Sequence, residues 1–115
     1  MKLHSELTWE PPTDVVETER EIIVVVEVPG MNGREIDVVT DGKILKISGT
    51  RSNIAPHGRK QFHKLEIQVG PFERLVELPV PVDHSDVSAH YEKGMLTVTL
   101  RKLEEQKRVR RVEIE

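Results

Sequence analysis

The sequence predicts an all-β protein, an immunoglobulin-like antiparallel β-sandwich with flexible N- and C-terminal tails, and three observations predict it. Apolar residues recur at every second position in several short runs, the period of a strand with one buried face. Gly, Pro, Asn and Asp punctuate the gaps between those runs, while apolar residues at helical spacing are hard to find before the C-terminal tail. Aromatic residues make up only 3% of the 115 residues, so the core must be filled by Val, Ile and Leu, which suits strands. At this length one domain with one core is expected, because a shorter interior cannot be divided in two.

The elements follow in order. "TDVVET" (13–18) is a short strand. In "EIIVVVEV" (21–28), Ile22, Val24, Val26 and Val28 face one way, and the other face, with Ile23 and Val25, is itself partly apolar, as in a central strand. Pro29-Gly30 stops it, because Pro has no N–H for the ladder and Gly permits the turn. "REIDVVT" (34–40) and "KILKISG" (43–49) form a hairpin across Asp41-Gly42, two residues that tolerate positive φ. A long polar loop, 50–62, ends at an isolated Phe62. "HKLEIQV" (63–69) alternates with Leu65, Ile67 and Val69 on one face, "FERLVELP" (72–79) is extended, and the proline-rich 79–86 connects onward. "VSAHYE" and "MLTVTLRK" close the chain's β region across Lys93-Gly94, for about eight strands in all.

Composition excludes several function classes. Seventeen basic and 20 acidic residues, mixed along the chain, give a net charge of −3, not the sustained basic field that neutralises phosphates, so no nucleic acid partner is expected. The one basic cluster, Lys107, Arg108, Arg110 and Arg111, reads as a solvated tail. With no Cys, disulfides, thiolate catalysis and Cys-based zinc sites are excluded. No stretch is apolar enough for a signal peptide or a membrane span, so the cytoplasm is the expected compartment. There is no G-x-S-x-G, no phosphate-cradling Gly-rich loop ending in Lys-Ser/Thr and no G-x-G-x-x-G. His4, His57, His63, His84 and His90 show no metal-ligand spacing. Acidic pairs such as Glu35 with Asp37, or Glu73 with Glu77, alternate with inward apolar residues and lie in water, where no carboxyl pKa is raised for acid–base work. No enzyme site, cofactor or metal is expected.

What remains is a set of motifs. "AHYEKGMLTVTL" (89–100) resembles the A-x-x-x-x-G-x-L signature of the small heat shock proteins, in their alpha-crystallin domain. "EVPGMNGREIDV", "ILKISGTR" and "GPFERLVELPVPVD" are similar to that family's E-x-P-G, L-x-I-S-G-x-R and G-x-F-x-R…L-P-x-x-V-D segments, in the family's order from Asp14 to Lys102. The resemblance implies a division into a short N-terminal arm (1–12), an alpha-crystallin domain (13–102) and a C-terminal extension (103–115).

It also implies site residues. Val112 and Ile114 stand two apart, on one face of an extended segment. They resemble the family's C-terminal I-x-I/V anchor, which docks on a neighbouring subunit in a groove that here lies along Ile36 and Val38 on one strand and Val87 and Ala89 on another. The long loop resembles one that pairs with the first strand of a dimer partner, which brings Phe62 to the partner's Val15 and Val16. The implied function is an ATP-independent chaperone, a holdase that captures partly unfolded client proteins and assembles from homodimers into reversible oligomers. The alternative is a sandwich domain serving another chaperone as an adaptor, as p23-like co-chaperones do.

Overall fold

The computed structural model describes residues 8–103 and 112–115. The described residues form seven strands: β1 (Thr13–Glu17), β2 (Glu21–Glu27), β3 (Ile36–Thr40), β4 (Ile44–Arg51), β5 (Gly70–Glu77), β6 (Val82–Glu92) and β7 (Met95–Lys102). They make a four-stranded sheet ordered β1-β2-β7-β6 and a three-stranded sheet ordered β3-β4-β5, with every neighbouring pair antiparallel. This is the sandwich the alternation predicts, with the apolar strand β2 inside its sheet.

The two sheets bury one face of each against the other. Ile22, Val24, Val26 and Val28 meet Leu96, Val98 and Leu100 within the larger sheet, and Leu45, Ile47, Phe72 and Val76 fill the facing side. No polar or charged residue among those described is buried, so the core is held by aliphatic packing and the ladders that cross it.

Two expectations are corrected. Residues 63–69 form no strand, and Leu65 and Ile67 are 64% and 72% exposed. Alternation supplies an apolar face, but a strand also needs a ladder partner, and none among the described residues pairs with that segment. The proline-rich connector is shorter than 79–86, because β6 begins at Val82. Once past Pro81 the backbone regains a donor, and the Val82 N–H donates to the Gly42 carbonyl at 2.9 Å.

The β3–β4 hairpin turns as its residues require. Gly42 has φ +97°, and Asp41 Oδ1 accepts from the N–H groups of Lys43 (2.9 Å) and Ile44 (3.0 Å). Those donors, Ile44 first, hold the Asp41 carboxyl below its ordinary value. A lowered folded-state value means that the turn's contribution is fully present above the ordinary carboxylate range, near 3.9, and is lost as pH falls through the folded value. Between pH 6 and pH 2 the urea midpoint of the wild-type chain should therefore fall further than that of Asp41→Ala; parallel curves would show that the turn carboxylate adds nothing.

Trp9, just before β1, is part of the folded body. Trp9 donates its N–H to the Pro71 carbonyl (3.1 Å), accepts from Glu73 N–H (3.2 Å) and sends its indole N–H to the Gly70 carbonyl (3.2 Å), covering the outer edge of β5. Its ring packs against Phe72 at 5.6 Å, and the Arg51 guanidinium lies 4.4 Å over it. Arg51 also donates to the carbonyls of Pro29 and Gln68, tying the end of the long loop to the same corner.

Candidate functional site

Two sheet edges face each other without pairing. β3 ends the smaller sheet and β6 ends the larger one. Val38 stands opposite Ile47, while Val87 and Ala89 stand opposite Leu100 and Val98. Residues directly opposite share a face, so all three side chains point into the gap between the sheets, where the core thins at its rim.

The gap is fixed at both ends. At one, the Gly42 carbonyl accepts from Val82. At the other, Gly33 lies against Tyr91, where an added Cβ would meet the tyrosine's own Cβ at 3.3 Å. The Tyr91 hydroxyl donates to the Val28 carbonyl (2.9 Å) and accepts from Met31 N–H (3.3 Å). Between these ties β6 shifts register between Val82 and Val87. The result is a groove of about 410 Å³, with Val38, Val87 and Ala89 along it and Thr40 and His84 toward the Val82 end. An apolar floor flanked by two strand edges suits an extended segment, whose backbone pairs with an edge while alternate side chains enter the gap.

Of the four groove residues read from the sequence, Ile36 sits deepest: at 9% exposure it belongs to the core beneath the groove. Alternation gives a side chain's face, not its depth. Thr40, His84 and Tyr91 went unread there, although Tyr91 continues the Val87, Ala89 alternation and a longer reading of that face finds it. Val112 and Ile114 are 77% and 96% exposed. The basic cluster at 107–111 lies outside the described residues.

The residues expected at a dimer contact occupy a different region. Val15 pairs with Val24 and Val16 with Ile23 on β1, an edge strand, so their side chains leave on opposite faces. Phe62 is exposed and lines a second groove of about 410 Å³ with Arg51, Ile54, Leu65, Ile67 and Val69. Among the described residues no three His, Cys, Asp or Glu side chains gather to hold a metal ion.

A sandwich with two such edges and these segments in order can be compared with known proteins. The sequence profile of the Hsp20/alpha crystallin family matches residues 14–115. The chain belongs to the Hsp20/alpha crystallin family. Among its relatives, small heat shock protein C2 of Rickettsia felis is 34% identical over 90% of this chain and 67% of its own length. The 22.7 kDa class IV heat shock protein of Pisum sativum is 32% identical over 90% of this chain and 50% of its own. The chain thus spans between half and two thirds of those relatives' length.

Solved structures of the family share the fold. Heat shock protein 16.0 from Schizosaccharomyces pombe, 29% identical, superposes with a TM-score of 0.76 over 94% of this chain and 77% of its own. A small heat-shock protein from Xylella fastidiosa, described as having a distinct high order structure, is 26% identical with a TM-score of 0.76 over 94% and 98%. As a member of the Hsp20/alpha crystallin family, this chain carries no described helix long and apolar enough to cross a membrane.

Proposed function

We propose that this small heat shock protein is an ATP-independent holdase of the cytoplasm and not an enzyme: it binds partly unfolded clients by their exposed apolar segments and keeps them from aggregating. The observation that carries this reading is the open groove between β3 and β6, with Val38, Val87 and Ala89 in the gap and a strand edge on each side. Non-native chains present apolar side chains and unpaired backbone, the two things such a groove accepts.

At rest the groove is occupied by Val112 and Ile114 of a neighbouring subunit. Burying two aliphatic side chains yields about 3–6 kcal/mol gross, much of it offset by ordering side chains and backbone on binding and losing rigid-body freedom. One anchor is therefore weak and exchangeable, whereas several on linked subunits hold an assembly by effective concentration. Dimers form when the Phe62 region of one chain meets Val15 and Val16 of another, side chains that are apolar and exposed in the single chain. The domain then comprises residues 13–102, steadied by Trp9, with the extension from 103 as the anchor's lead.

The test is light scattering from a heat-labile protein on warming, without nucleotide, beside sedimentation of the chaperone itself. The intact chain should suppress scattering. Val112→Ala with Ile114→Ala should shift the sedimenting species from oligomer to dimer and alter suppression. If neither protein lowers scattering in molar excess, the holdase reading fails; if the variant sediments unchanged, the anchor reading fails.

A further inference from the structure

The groove's charges are sorted by end. β3 runs from the Gly33–Tyr91 tie toward the Gly42–Val82 tie, and β6 runs the opposite way. Chain order therefore gathers Asp41, Asp83 and Asp86 at the Val82 end, beside His84 and with Lys43 as the opposing charge. At the Tyr91 end lie Arg34 and Lys93 together with Glu35, Glu92 and His90. Carboxylates are hydrogen-bonded at both ends: Glu35 accepts from Asn32 N–H at 3.2 Å and Glu92 lies 3.0 Å from His90 Nε2, while Asp41 accepts from Lys43 and Ile44 N–H and Asp83 from Ser85. The Arg34 and Lys93 side chains make no hydrogen bond or ion pair with described residues. One mouth of the groove sets three aspartates against Lys43, whereas at the other two basic and two acidic side chains balance.

The C-terminal segment is polarised in the complementary sense. Arg110 and Arg111 precede the anchor, while Glu113 and Glu115 lie within and after it. From the groove and this charge order we infer that the segment of a second copy enters in one direction only, with Arg110 and Arg111 over Asp41, Asp83 and Asp86, and Glu115 toward Arg34 and Lys93. The inference rests on the anchor reading above and adds to it the residues that set polarity. The segment then runs parallel to β6 and antiparallel to β3.

The spacing agrees. A strand advances about 3.3 Å per residue. With Val112 beside Val87 and Ile114 beside Ala89, Arg111 comes level with Asp86 and Glu115 with His90, across from Arg34. Reversing the segment leaves both aliphatic side chains in the gap, because their two-residue spacing is symmetrical, but brings Arg110 and Arg111 to Arg34 and Lys93, and Glu115 to the three aspartates. The apolar contacts are indifferent to direction, so the charges decide it. Each exposed pair is weak and screened by salt, and several acting together select one of two otherwise similar poses.

The chain has no cysteine, so paired substitutions in the full-length protein report the pose by disulfide cross-linking between subunits. Glu115→Cys with His90→Cys should cross-link, and Glu115→Cys with Asp86→Cys, the position level with residue 115 in the reversed pose, should not, with a yield ratio of about five or more at low salt that falls toward one at high salt. Reversing Asp86 to Lys should loosen the assembly, and adding Arg110→Glu and Arg111→Glu should restore it. Equal yields or the opposite preference overturn the inference, as does no cross-link from either pair, which would mean that another chain occupies the groove. If Val112→Ala with Ile114→Ala dissociates the assembly while the cross-links show no preference, only the polarity is wrong; if that variant stays assembled, the anchor itself is.

Discussion

Replacing Phe72 by Ala should cost about 3–5 kcal/mol of unfolding free energy, the usual range for a buried aromatic truncated to a methyl. Phe72 is 1% exposed and heads the fully buried side chains. Its surroundings cannot collapse inward. On one side Gly49 already approaches so closely that an added Cβ would lie 2.8 Å from Phe72 Cζ, and that glycine's position is also bounded by the Glu35 carbonyl at 2.9 Å. On the other, the Trp9 ring is held by backbone ties to Pro71 and Glu73. The hole should stay open, and a loss of this size takes much of the 5–15 kcal/mol that a domain of this kind has. Urea denaturation followed through Trp9, the chain's single tryptophan, measures both the loss and the change beside the ring. A loss below about 1.5 kcal/mol would mean that the two sheets close over the gap.

Gly94→Ala should cost about 2–5 kcal/mol, from two independent causes. The turn between β6 and β7 places both of its residues at positive φ, Lys93 at 53° and Gly94 at 80°, the hairpin geometry that follows the strands' twist. A side chain at Gly94 meets a conformational cost of about 1–2 kcal/mol. It also meets Pro29, with Cβ 2.8 Å and Cα 3.1 Å away, and a proline ring cannot rotate aside, so overpacking adds about 1–3 kcal/mol. Gly58→Ala separates the two causes: φ there is 99° with nothing within 4 Å of the added atom. Equal losses at the two glycines would show that the contact with Pro29 contributes nothing.

Gly94 also shows how much of the fold was legible. The turn could be read from Lys93-Gly94 between alternating runs, because turn chemistry and a period of two are local. So could the Asp41-Gly42 hairpin and the central place of β2, whose second face carries Ile23 and Val25. The contact of Gly94 with Pro29, 65 positions earlier, could not. Trp9 on the edge of β5 and Tyr91 under the Val28 carbonyl are equally distant in sequence, and nothing in a local pattern announces them.

The false strand at 63–69 has the same origin. Leu65, Ile67 and Val69 show the correct period, but what such a face covers is decided by another segment. The groove was readable in part: Val38, Val87 and Ala89 are inward positions on their strands, and family resemblance singled them out from other inward positions. That Ile36 is core and the others rim depends on where two sheets end, which is a property of the assembled layers.

The pairing of β2 with β7 carries a consequence for how the chain is born. Its register joins residue 21 to 101 and residue 27 to 95, so the most apolar strand must wait for nearly the last one. At about 5–20 residues per second on the ribosome, some 70–80 residues of intervening synthesis take roughly 4–16 s, whereas β1 and β2 can close their hairpin in about 1–10 μs. Through that interval the nascent hairpin displays Ile22, Val24 and Val26 on one face and an unsatisfied edge where β7 will later lie. On the proposed reading, the newborn chain is thus itself the kind of species that the mature groove receives.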